Sequence, residues 1–85
     1  MRTRVKLLTK YNYTFMLTKT RPFLFIICYE WGKYKKGKVV KIKIRKADKH
    51  IIDEFVKYIS ATDKDIVSSI TDFCKTNNIS FRKYV

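Results

Sequence analysis

The sequence predicts an α+β fold. A small antiparallel sheet of three to four strands carries a basic β-hairpin, two C-terminal helices pack on one face, and a short final strand can follow. Three observations support this. Up to Arg45, β-branched and aromatic residues recur with a period of two. Beyond Ala47, apolar residues recur every three or four positions. Between a strand segment apolar on both faces and one that alternates cleanly lies Gly32-Lys-Tyr-Lys-Lys-Gly37, a loop bracketed by the only two glycines. The 85 residues suit one domain, 1–85, with a basic β-rich half (1–46) and a neutral helical half (47–85).

Taken in order, Val5–Thr9 fits either a strand or a helical turn, because Leu7, Tyr11 and Phe15 are spaced by four. Tyr11, Tyr13, Phe15 and Leu17 then share one face of a strand, opposed by Asn12, Thr14, Met16 and Thr18. Lys19–Pro22 is the connection, with proline placing the break. Phe23–Trp31 is apolar on both faces, as a central strand is, with Phe23, Phe25, Tyr29 and Trp31 sharing one of them. Lys38–Arg45 alternates, with Val40, Ile42 and Ile44 on one side and Lys41, Lys43 and Arg45 on the other. Asp48 suits the N-cap of a helix whose apolar face is Ile51, Ile52, Phe55, Val56 and Ile59. Thr62 with Asp65 resembles a capping box ahead of Ile66, Val67, Ile70, Phe73 and Cys74. Asn77-Asn78 offers a left-handed exit, after which Ile79–Val85 can return as a strand.

At 46% hydrophobic and 15% aromatic, the chain is too apolar for a basic disordered tail. Its net charge is +13, and the asymmetry is complete: Met1–Lys46 holds fourteen basic residues and one acid, and the remainder holds six of each. Such a split speaks of partners and encounter rates. No run reaches the roughly 18 apolar residues of a membrane span. Lys10, Lys19 and Arg21 break up any secretory signal, and the aromatic strands do not suit an organellar transit peptide, so a cytoplasmic protein is expected. Cys28 and Cys74 sit in apolar segments and read as buried reduced thiols.

Catalysis has thin support. His50 is the only histidine, and neighbouring Asp53 and Glu54 diverge by about 100° on a helix, a poor arrangement for an acid–base pair. Two cysteines and one histidine lack any zinc spacing, and no P-loop, Rossmann glycine pattern or nucleophile elbow is present. The expectation is a non-enzyme with no cofactor and no metal.

The basic hairpin is the stronger signal. Lys33, Lys35, Lys36 and Lys38 surround Tyr34, and Lys41, Lys43, Arg45 and Lys46 continue along one strand. Residues two apart on a strand are about 6.6 Å apart, suited to tracking a phosphate backbone. Arg2, Arg4 and Lys6 add a basic arm. The alternative for the lysines is a solvated edge that resists aggregation. Among the aromatics, Phe15, Phe23 and Phe25 are expected inside, with Tyr34, Trp31 or Tyr11 near a partner. The expected function is therefore non-catalytic binding of RNA or DNA through Arg2, Arg4, Lys33, Tyr34, Lys35, Lys36, Lys38, Lys41, Lys43, Arg45 and Lys46. The rival is a small phage or mobile-element inhibitor or adaptor that docks an acidic or nucleic-acid-binding surface of a host protein. Homodimerisation through a sheet edge is compatible with either.

The motifs of RNA-recognition, KH and zinc-finger domains are absent. Val39–Ile59, a strand followed by Asp48 and an amphipathic helix, resembles part of a LAGLIDADG endonuclease module. The acidic helix that defines that family is missing, so nothing is carried over from it.

Overall fold

Alternation of apolar and polar residues makes strands pair with one face inward, and here it produces five of them. The computed structural model describes residues 3–20, 22–31 and 36–84. Strands β1 (Thr3–Lys10), β2 (Tyr13–Thr20), β3 (Phe23–Trp31), β4 (Lys36–Arg45) and β5 (Ser80–Lys83) form one antiparallel sheet in the order β1-β2-β3-β4-β5. Helices α1 (Ile51–Ala61) and α2 (Ile66–Thr76) lie between β4 and β5 in the chain and cover one face. The predicted class holds, with five strands where three or four were expected. The ambiguous Val5–Thr9 belongs to β1, and the final strand forms.

Two β-bulges decide which side chains meet the helices. In β1, Lys6 pairs with Met16 and Leu8 with Phe15, leaving Leu7 as the extra residue. In β4, Lys38 pairs with Tyr29 and Val40 with Cys28, leaving Val39 extra. A bulge inserts one residue and so reverses the alternation beyond it. Leu7 and Leu8 therefore both pack against the core, as do Val39 and Val40. Lys38, which simple alternation would place with Val40 and Ile42, is returned to the face of Lys41 and Lys43.

The core joins Phe15, Leu17, Ile26, Cys28, Val40 and Ile42 of the sheet to Phe55, Ile59, Ile70 and Phe73 of the helices. Phe55 is its centre, meeting Phe15 edge-on at 5.6 Å and Phe73 edge-on at 5.3 Å between ring centroids. Cys28 and Cys74 are free and fully buried. Burial pushes both thiols up to about 12, the Glu30 charge adding to the effect at Cys28, so neither is a ready nucleophile.

The helix ends differ in detail from the sequence reading. Asp48 does not cap α1. It closes a 3₁₀ turn at Lys46–Asp48 and pairs with Arg45 at 3.1 Å. Asp65 is the N-cap of α2 and accepts from the Ser68 amide at 3.0 Å, and Thr62 instead shares a hydrogen bond with Ser69. The Asn77-Asn78 exit forms as expected. Asn78 takes φ 55°, and the Ile79 amide donates to the Cys74 carbonyl at 2.8 Å, which closes the helix and turns the chain into β5. The last turn of α1 contains no basic residue of its own. Lys10 of β1 supplies one, donating to the carbonyls of Ile59 (2.9 Å), Ser60 (3.0 Å) and Thr62. Tyr11 is not part of a strand. It occupies the β1–β2 turn at φ 56°, exposed, a backbone position that an aromatic residue rarely takes.

Candidate nucleic-acid interface

Since the helices cover one side of the sheet, the pairing register assigns every other strand residue to the opposite, open face. Strand β3 lays Phe23, Phe25, Ile27, Tyr29 and Trp31 along its middle. Beside them β2 places Thr14, Met16, Thr18 and Thr20. On the far side of β3 stand Lys38, Lys41, Lys43 and Arg45 of β4, followed by Arg82 of β5, which pairs with Lys41. Beyond β2, Arg4 and Lys6 of β1 pair with Thr18 and Met16. The open face is thus an uncharged strip two strands wide between two basic banks. From β1 to β4 is three strand spacings, about 14 Å.

Acid is kept off this face. Glu30 is the sole acid in any strand and has the parity of Ile26 and Cys28, toward the helices, where Tyr13 faces it across the strands. That carboxylate and burial together raise the Tyr13 phenol above its ordinary value, with burial the larger cause. The other six acids lie in the 3₁₀ turn, the helices and their connection. Of these, Asp48 alone reaches a bank residue, Arg45, whose side chain is 77% exposed, so the pair contributes little.

The β4 bank is layered over the strip. The Lys41 ammonium stands 4.5 Å from the centroid of Phe25, and that of Lys43 stands 4.0 Å from Phe23. These cation–π contacts hold the half-buried rings beneath the lysines. Trp31 is 54% exposed, and its indole N–H donates to Thr14 Oγ1 at 3.2 Å, which anchors the ring at one end of the strip. At the other end lies a cleft of about 360 Å³ whose polar lining is Lys43, Arg45, Asp48, Asn77, Asn78 and Ser80.

Of the predicted contact residues, the structure gathers Lys38, Lys41, Lys43 and Arg45 on one face. Arg2, Lys33, Tyr34 and Lys35 lie outside the described residues, and Lys36 is placed only by its backbone pairing with Trp31. Lys46 begins the 3₁₀ turn rather than extending the ladder. Arg4 and Lys6 do not form an arm; they are built into the edge strand. Phe23 and Phe25, expected in the core, are on the open face because both helices settle on the other side. Arg82 was missed, although the alternation Ser80-Phe81-Arg82, with Phe81 turned to the core, carries its signal.

Lys41 and Arg82 are like charges directly opposed across two strands, an arrangement that costs stability. Arg82→Glu is accordingly expected to raise the free protein's stability at low salt by roughly 0.5 kcal/mol, seen as a higher urea midpoint. The same change should weaken binding of a polyanion. A lower midpoint would show that the pair is not repulsive.

Elsewhere the described residues form no reactive grouping. His50, Asp53 and Glu54 are exposed at the start of α1. Among the described residues no three His, Cys, Asp or Glu side chains gather as metal ligands. No helix among them is long and apolar enough to cross a membrane. No protein-family model, curated protein or solved structure matches the chain.

Proposed function

We propose that this protein binds nucleic acid without catalysis, through the open face of its sheet. One observation carries the reading: no strand places an acid on the face that seven described basic residues (Arg4, Lys6, Lys38, Lys41, Lys43, Arg45 and Arg82) share, and only Asp48, from the turn after β4, reaches its edge. Surface lysines that merely confer solubility are interspersed with acids, as they are on the helices here. Segregation of one sign on one face is the footprint of a polyanion-binding surface. The contacts are mainly to phosphates, so affinity is dominated by counterion release. Seven contacts give a salt slope of about −6 on a duplex and about −5 on a single strand.

The test is fluorescence anisotropy with labelled RNA and DNA oligonucleotides across a salt series. Affinity should fall by roughly three to four decades between 50 and 200 mM salt. A flat dependence, or no binding at 50 mM, overturns the proposal. The other reading, an inhibitor or adaptor docking an acidic protein surface, draws on the same basic banks. Exposed aromatic rings also anchor protein interfaces, so the oligonucleotide salt series is what separates the two readings.

A further inference from the structure

Phosphate contacts alone need no aromatic floor, and the strip on the open face points to more than a phosphate ladder. In a duplex both faces of each base are taken up by stacking, so a protein ring lying on a flat sheet has only sugar and phosphate to meet. A single strand exposes base faces that aromatic side chains can stack upon. We propose, building on the reading above, that the partner is single-stranded nucleic acid. Its bases lie on Phe23, Phe25 and Trp31 while its phosphates are taken by the flanking cations.

Four features support this. Phe23 and Phe25 stand 6.4 Å apart between centroids, adjacent platforms along β3. Each is occupied in the free protein by a lysine ammonium, at 4.0 and 4.5 Å. A lysine stem is flexible, and its cation gains more from a phosphate than from a ring, so the ligand's own charge draws Lys43 and Lys41 aside and uncovers the rings. Trp31 is exposed and already tethered through its N–H to Thr14, so its ring is positioned before a base arrives. Lastly, Thr18 Oγ1, between Arg4 and Phe25 on the floor of the strip, is buried with no hydrogen-bond partner. A base edge or sugar hydroxyl that displaced the long side chains above would satisfy it.

Trp31 is the single tryptophan, so its emission reports on the strip directly. The experiment compares a labelled 12-nucleotide poly-U or poly-dT strand, a 12-base-pair duplex, and inorganic polyphosphate at one salt concentration. Expected are binding of the single strand at least 10-fold tighter than the duplex, and quenching of Trp31 by the single strand but not by polyphosphate. Phe25→Leu keeps an apolar side chain of similar reach; it and Trp31→Ala should each weaken single-strand binding by about 10- to 100-fold and leave duplex binding within 2-fold. Equal affinity for both oligonucleotides with no quenching overturns the single-strand inference and leaves the phosphate face standing. Failure of both oligonucleotides to bind at 50 mM salt overturns the underlying reading along with it. The quenching arm uses the unaltered protein, so it decides the matter even where a variant folds poorly.

Discussion

Phe55→Ala is expected to lower stability by about 3–5 kcal/mol, enough to unfold much of the population of a domain this small. The residue is 1% exposed and its ring bridges Phe15 on β2 to Phe73 on α2. Removing it takes away the transfer free energy of a whole aromatic ring and both edge-on contacts. The cavity left behind is walled by the sheet on one side and a helix on the other, so collapse cannot refill it cheaply. Thermal unfolding followed by circular dichroism should show the midpoint falling by roughly 15–30 °C, or no cooperative transition at all. A shift of only a few degrees would mean that the helices do not rest on the sheet through this ring. Phe25→Ala, on the open face, removes a half-buried ring and should cost appreciably less. That difference separates the true core from the aromatic strip.

The distinction between the two sets of aromatics is also where the sequence was least informative. Alternation identifies which residues share a face of a strand, and Val40, Ile42 and Ile44 against Lys41, Lys43 and Arg45 were legible on that basis alone. It does not say which face of an all-apolar strand the helices will choose. In Phe23–Trp31 both faces are apolar, so Phe25 looked as much like core as Ile26 did. The choice is tertiary, decided by the β4–α1 connection and by the apolar faces of both helices. The bulges were hidden for a related reason. Leu7-Leu8 and Val39-Val40 read as imperfect alternation, and only the partner strand shows that one residue of each pair is inserted. Through those two insertions Lys10 reaches the end of α1 while Lys38 joins the basic bank. Tyr11 misled for a local reason, since tyrosine favours strands and its φ of 56° is a position where glycine or asparagine would have announced a turn.

If function lies in the open face rather than in the bulk charge of +13, two variants of equal charge should behave differently. Replacing Lys41, Lys43 and Arg45 together by Gln removes three charges from the bank beside the aromatic strip. Replacing Lys57, Lys64 and Lys75 by Gln removes three exposed charges from the helical side. Long-range attraction depends on net charge and is screened within about 10 Å at 0.1 M salt, so it falls equally in both variants. Contact with phosphate depends on position. Each charge-assisted contact is worth roughly 1 kcal/mol or more, so the bank variant should bind oligonucleotide about 10²–10³-fold more weakly at 50 mM salt. Its salt slope should be smaller in magnitude by about 2–3. The helical-side variant should lose only a few-fold, with its slope unchanged. Comparable losses in the two would assign binding to the whole molecule's charge and remove the open face from its role. In stability the bank variant should change little, because relief of the like charges at Lys41 and Arg82 is offset by loss of the lysine contacts over Phe25 and Phe23 and of the Arg45–Asp48 pair. An unchanged urea midpoint beside the weakened binding would tie the loss to phosphate contact rather than to unfolding.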